Sequence, residues 1–215
     1  MRTYPFRTPY LLTQAFSGLT WRVDAKNEKN IYLTFDDGPH PEVTPYVLDL
    51  LDQHKAKATF FVVGANVEKY PELLQLVQSK GHATGNHTQH HLSGWRTATA
   101  TYRNDVATCE TAMTQAIGSS DLKLFRPPYG RITPSQIRSL KSTHEIVMWS
   151  MLSGDFDQDL NITAAKKALD QSKPGEVIVF HDSHKSQGNL KQLLPWFLER
   201  FHRKGYKFAT LSPLK

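Results

Sequence analysis

The chain has 215 residues, 39% hydrophobic and 21% charged, with a net charge of +6 and a pI near 9.3. That length supports one ordinary domain with a substantial core. Lys and Arg are scattered without a run of five or more, and no nucleic-acid motif is present, so the charge reads as a mildly basic solvated surface rather than a nucleic-acid site.

Residues 1–30 are mixed aromatic and polar with no clear period, and read as an N-terminal extension packed on a domain spanning 31–215. The apolar Tyr10-Leu11-Leu12 is broken by Thr13-Gln14 and gives no signal-peptide core. No stretch of about 18 apolar residues could span a bilayer. The single cysteine, Cys109, excludes an intrachain disulfide, and its place in the series Tyr102, Val106, Cys109, Met113, Ala116 predicts a buried helical position. A cytoplasmic monomer is the expectation.

Residues 31–35 form an apolar run that predicts a buried strand, and it stops at Asp36-Asp37 and a Gly38-Pro39 turn signal. A helix is expected over 42–54, then a strand over 58–63. Asn66 is read as the cap of one helix ending at Lys80-Gly81. A weak strand at 83–86 leads into His87-Thr88-Gln89-His90-His91. A helix over 99–117 precedes a strand over 122–126 that ends at Pro127-Pro128. A helix at 134–141, a strand at 146–150, a helix at 161–171 and a strand at 177–180 follow, with a helix at 190–203 and a strand at 207–211 last. Strands and helices thus alternate about seven times, and the strands are apolar throughout, the pattern of a parallel sheet covered on both faces. An open doubly wound sheet and a barrel both fit. The count, one unit short of a closed (β/α) barrel, favours a distorted barrel with about seven parallel strands, its sites at the carboxyl ends of the strands.

Polar residues gather at those ends. Two adjacent carboxylates at the edge of a core require a cation, a metal or hydrogen bonds. His87 and His91, four apart, share a face if their segment is helical, with His90 as the rival second ligand. With an Asp from a neighbouring strand end they would make a two-His, one-carboxylate set that leaves positions open, as a catalytic divalent metal needs. Zinc is the first choice, with Co2+, Ni2+ or Fe2+ as alternatives. If Asp37 is the ligand, Asp36 is free to act as base and Arg126 could hold it ionised, while His181 has the placement of a general acid.

The set Thr34-Phe35-Asp36-Asp37-Gly38-Pro39, His87-Thr88-x-x-His91, Arg126-Pro127-Pro128-Tyr129 and Ile178-x-x-His181 closely resembles the polysaccharide deacetylases of carbohydrate esterase family 4, in order and in spacing. The resemblance implies a distorted (β/α) barrel, with Asp37, His87 and His91 as metal ligands, Asp36 as base and His181 as acid. It implies that Arg126 orients the base and that the Tyr129 backbone N–H steadies the oxyanion. Pro128, Asp155, Phe156 and Trp149 are assigned to the substrate, with Trp95 as a further stacking candidate and Phe35 another, for which core packing is favoured. One departure stands out. Where the family usually has Asp-x-x-Asp-Trp, this chain has Leu152-Ser153-Gly154-Asp155-Phe156, so the acid expected to tune His181 is absent unless Asp155 or a neighbour replaces it. The implied activity is hydrolysis of acetyl groups from a carbohydrate such as chitin or peptidoglycan. N-acetyl is preferred over the O-acetyl of a xylan-type polymer, and a non-catalytic carbohydrate binder is the other alternative.

Overall fold

The structure, a computed structural model, describes residues 4–26, 28–118 and 123–212. Its centre is β1 (Asn30–Asp36), flanked in parallel by β2 (Ala58–Val62) and β7 (Val177–His181). Nearly every residue of these strands is buried, which is why they lack an in–out alternation. Going outward from β2 are β3 (Ala83–Asn86), β4 (Leu124–Phe125) and β5 (Glu145–Ile146), and β6 (Met151–Leu152) lies beyond β7. All pairs are parallel, and the order β5-β4-β3-β2-β1-β7-β6 curls into a half-barrel, the expected distorted (β/α) barrel. The short β8 (Lys207–Phe208) pairs the start of β1.

Helices cover the sheet. In α2 (Val43–Gln53) the buried residues Val43, Val47, Leu48 and Leu51 follow the helical period, as do Leu190, Leu194, Phe197 and Phe201 in α8 (Gln187–Arg203). Phe35 on β1 lies 5.0 Å from the Phe60 ring and 6.1 Å from Phe180, so it is core and not a sugar platform. Cys109 is wholly buried in α5 (Thr99–Ile117), where burial pushes its thiol up to about 12.

Three elements differ from expectation. The single helix over 66–80 is two, α3 (Gly64–Lys69) and α4 (Pro71–Ser79). Pro71 drives Tyr70 out of the helical region (φ −137°, ψ 59°) and then starts α4 at its first position. Asn66 therefore sits inside α3 instead of capping it. The strand expected over 122–126 is seen as β4 alone, Leu122 lying outside the described residues. The strand expected over 146–150 is a seam, with β5 ending at Ile146 and β6 beginning at Met151.

The N-terminal segment lies along that seam. Thr20 exchanges main-chain hydrogen bonds with Ile146 and Met148 (2.9 and 2.7 Å), Thr8 N–H donates to the Ser150 carbonyl (2.9 Å), and Leu152 N–H donates to Phe6 (2.7 Å). Phe6, Leu19 and Trp21 are buried there. The short helix α1 (Tyr10–Ala15) loops outward between these contacts, with Tyr10 and Leu11 exposed. α6 (Pro134–Leu140), capped by Thr133 and Gln136, and α7 (Ile162–Leu169), capped by Asn161, complete the covering.

Candidate active site

At the end of β1, Asp36 is 4% exposed and Asp37 turns into the left-handed region (φ 78°). Asn66 of α3 donates to the Asp37 carbonyl (2.8 Å), and Gly38 N–H and the Thr44 hydroxyl donate to Asp182 (3.1 and 2.6 Å). The turn is thus fixed from two helices and from β7. Of the six positive-φ non-glycine residues among those described, four are Asp37, Thr88, His91 and Tyr129, all in the loops at this end of the sheet. Such backbone costs about 1–3 kcal/mol per residue and persists where surrounding bonds over-determine it.

His87 follows β3, and its Nδ1–H donates to the Arg126 carbonyl (2.8 Å), which turns the Nε2 lone pair toward Asp37. Positive φ at Thr88 and His91 (66° and 55°) prevents the helix that the four-residue spacing suggested. The loop still brings the side chains together: Asp37 Oδ1 lies 3.6 Å from His87 Nε2 and 3.1 Å from His91 Nε2, and the three ligand atoms all fall within 4.8 Å of one another. His90 is drawn off, its Nδ1 donating to Asp105 of α5 at 2.6 Å. Asn86 is buried and bonded to Val106 and Thr88.

The charges suit a cation. Burial lowers His87 to about 4, against the pull of Asp36 and Asp37, so its imidazole is neutral at pH 7. Burial by itself would raise Asp37, but the bond from His91 and the nearby His181 and His87 hold its carboxyl well below the usual range. One carboxylate and a neutral imidazole with its tautomer fixed, beside a second imidazole, fit a divalent metal with positions left open.

Behind them lies Arg126, wholly buried. Its Nη1 donates to Asp36 Oδ1 and Thr34 Oγ1 (2.7 Å each), its Nη2 to the Met148 carbonyl (2.9 Å) and its Nε to Val147 (3.3 Å), while the guanidinium stacks on Phe61 at 4.1 Å. Across β1, in register with Asp36, stands His181. Its Nδ1–H donates to Asp155 Oδ1 (2.7 Å), and its backbone N–H donates to Asp155 Oδ2 (2.8 Å). Burial disfavours the imidazolium, but Asp155, by charge and by hydrogen bond, outweighs it with help from Asp37 and Asp36 and raises His181 to about 9. Tyr129 (φ 59°) is exposed, and its hydroxyl is 3.1 Å from His91 Nδ1.

A family model for polysaccharide deacetylases matches residues 24–146. The chain belongs to the polysaccharide deacetylases. A peptidoglycan-N-acetylglucosamine deacetylase of Bacillus cereus is 34% identical over 199 residues, covering 91% of this chain and 92% of the relative. A chitooligosaccharide deacetylase of Azorhizobium caulinodans is 34% identical over 159 residues, 73% of this chain and 75% of its own. A solved peptidoglycan N-acetylglucosamine deacetylase superposes with a TM-score of 0.79 at 32% identity, covering 95% of each chain. This deacetylase is therefore a carbohydrate-directed hydrolase with the fold of carbohydrate esterase family 4.

The deacetylase departs from the sequence reading at two residues. Asp155, assigned to substrate, is 0% exposed with both oxygens bonded to His181, so it faces the histidine and not a ligand. The acid missing at Leu152 is supplied by that same Asp155. Pro128 is buried in the turn that carries Tyr129 and also leaves the substrate wall. Phe156 and Trp149 stay half-buried, and Trp95 is 66% exposed with Arg131 stacked on it. The Thr34–Arg126 bond, the Asn66–Asp37 bond and the Asp182 turn lock escaped the sequence reading. Only Asp182 had a signal there, its place beside His181.

Proposed function

We propose that this deacetylase removes the N-acetyl group of N-acetylglucosamine units in a polymer or oligomer, with a divalent metal, zinc first, held by Asp37, His87 and His91. The observation that carries the reading is the register of Asp36 with His181 across β1 and β7. It makes a carboxylate bonded to Arg126 and an imidazole bonded to Asp155 neighbours on adjacent strands, beside Asp37 of the Asp37–His87–His91 set. The names of the Bacillus and Azorhizobium relatives support the substrate class.

A divalent cation in that set would polarise the acyl carbonyl and make water more acidic. Asp36 takes the proton from the attacking water. Its Oδ1 is fixed by Arg126, which keeps the carboxylate ionised and oriented. The Tyr129 backbone N–H, presented by its left-handed turn, donates to the developing oxyanion. His181, whose Nδ1 is held by Asp155, carries the transferable proton on Nε2 and delivers it to the departing amine nitrogen. With its pKa near 9, His181 is charged at neutral pH, as an acid for an amide must be. A weakened acid would favour the acetyl-ester alternative, and the Asp155–His181 bond supports the amide reading over it.

The test is acetate release by chelated and then zinc-reloaded protein from N-acetylglucosamine oligomers and from acetylated xylan, with Asp36→Ala as control. Zinc-restored release from the oligomers, lost in Asp36→Ala, is expected. Release that ignores chelation, or that comes from the xylan alone, would sink the reading.

A further inference from the structure

A second concavity adjoins the site. A cavity of about 290 Å3 lies between the N-terminal segment and the β5–β6 seam, walled by Leu12, Phe16 and Trp21 on one side and by Met148, Trp149 and Leu152 on the other. It is near the lower end of ligand pockets, about 300–1,000 Å3. Its polar wall atoms are engaged within the chain. Trp21 Nε1 donates to Phe16, Trp95 Nε1 to Ile132 and the Thr8 hydroxyl to Trp149, all at carbonyls, while the Tyr4 hydroxyl donates to Asp157. A sugar entering here would give up hydrogen bonds to water and find few in return, whereas a hydrocarbon would lose none.

Two wall residues link the cavity to the catalytic centre, one directly and one through an intervening ring. Tyr129 lines it and bonds His91 through its hydroxyl. Tyr4 lines it too, and its ring packs on Phe156 at 4.9 Å, which in turn lies 5.2 Å from the His181 ring. The cavity therefore lies behind Tyr129 on the metal-ligand side and behind Phe156 on the acid side. The part of any substrate that must lie between those two sides is the scissile acyl carbon and whatever it carries.

We propose that this cavity is an acyl-chain subsite, so that the enzyme accepts linear N-acyl groups longer than acetyl on its sugar. The inference rests on the hydrolase reading above. The reaction is unchanged: water attacks the acyl carbon, the C–N bond breaks, the amine leaves protonated and the longer carboxylate is released.

The experiment compares N-acetyl, N-butyryl and N-hexanoyl glucosamine oligomers, with an octyl glycoside of the N-acetyl oligomer alongside. KM should fall from acetyl to butyryl by up to about tenfold for two buried methylenes, and the octyl glycoside should show no such fall. Leu12→Trp, a change at a residue 42% exposed on α1, should fill the cavity and abolish the chain-length dependence. A kcat/KM that collapses at butyryl while acetate release continues overturns the subsite and leaves the deacetylase intact. A KM that falls for the octyl glycoside alone also overturns it, since the cavity would then take an aglycone. If no N-acyl sugar is turned over, the hydrolase reading itself has failed, and calorimetry with free acids decides on the cavity alone. Octanoate binding at least about tenfold more tightly than acetate supports the subsite, with methylene burial as the cause, and equal binding overturns it.

Discussion

Among the described residues Arg126 is the largest wholly buried side chain, and its charge is tolerable there because four acceptors and an aromatic face surround it. Removing one member of such a pair leaves the other charge buried alone. Arg126→Met should therefore destabilise the fold by about 3–5 kcal/mol and abolish acetate release, read by urea unfolding and by assay. Asp36→Asn keeps a hydrogen-bonding side chain beside Arg126 but leaves the guanidinium charge unpaired, so it too should destabilise the fold, and loss of the base should slow turnover by about 10²–10⁴-fold. His181 adds a pH dependence. Its pKa rises from 6.5 unfolded to about 9 folded, so it holds its proton more tightly in the native state. That contribution is fully present below the unfolded value and is lost as pH climbs through the folded one. Metal-free protein should lose stability across this window, and His181→Gln should flatten the loss. Urea midpoints taken on either side of the window would show it.

Among the elements, β3 and α3 hold the site most directly. A Cβ on Gly85 of β3 would come within 2.6 Å of the Phe61 ring, the ring on which the Arg126 guanidinium lies. Gly85→Ala should cost about 1–3 kcal/mol through overpacking, and it should depress kcat more than KM because the disturbance reaches Asp36 through Arg126. An unchanged kcat would show that Phe61 gives way without moving the arginine. On α3, Asn66→Ala removes the bond to the Asp37 carbonyl. A loss of about 1 kcal/mol is expected, with weaker zinc binding by titration, since the left-handed turn at Asp37 would be held less firmly.

For the molecule as a whole, the seam between β5 and β6 is the weak point of the half-barrel. The Val147 and Met148 carbonyls in that seam accept from Arg126, and residues 6–8 and 20 pair along it from the N-terminal segment. A chain beginning at Asp24 would lose the burial of Phe6, Leu19 and Trp21, each worth about 1.5–3 kcal/mol. Its thermal midpoint and its turnover should fall together. A truncated protein with full turnover would show that Arg126 needs no support from the seam.

The sequence by itself determined most of the elements and the polar residues at their ends. Apolar runs such as Ala58–Val63 and the helical stripe of Val43 to Leu51 are local signals, and hydrophobic burial forces their geometry wherever they sit. The four ordered motifs likewise placed Asp36, Asp37, His87, His91, Arg126 and His181 at strand ends before any coordinates. Tertiary structure alone decided the rest. His91 and not His90 faces Asp37 because two left-handed residues aim the loop and Asp105 captures His90, neither of which four-residue spacing encodes. Asp155 serves His181 from 26 positions away, and Thr20 bonds residues 146 and 148 across the seam. Contacts so distant along the chain leave no periodic trace in it, since they are fixed only when the sheet has curled and its ends have met.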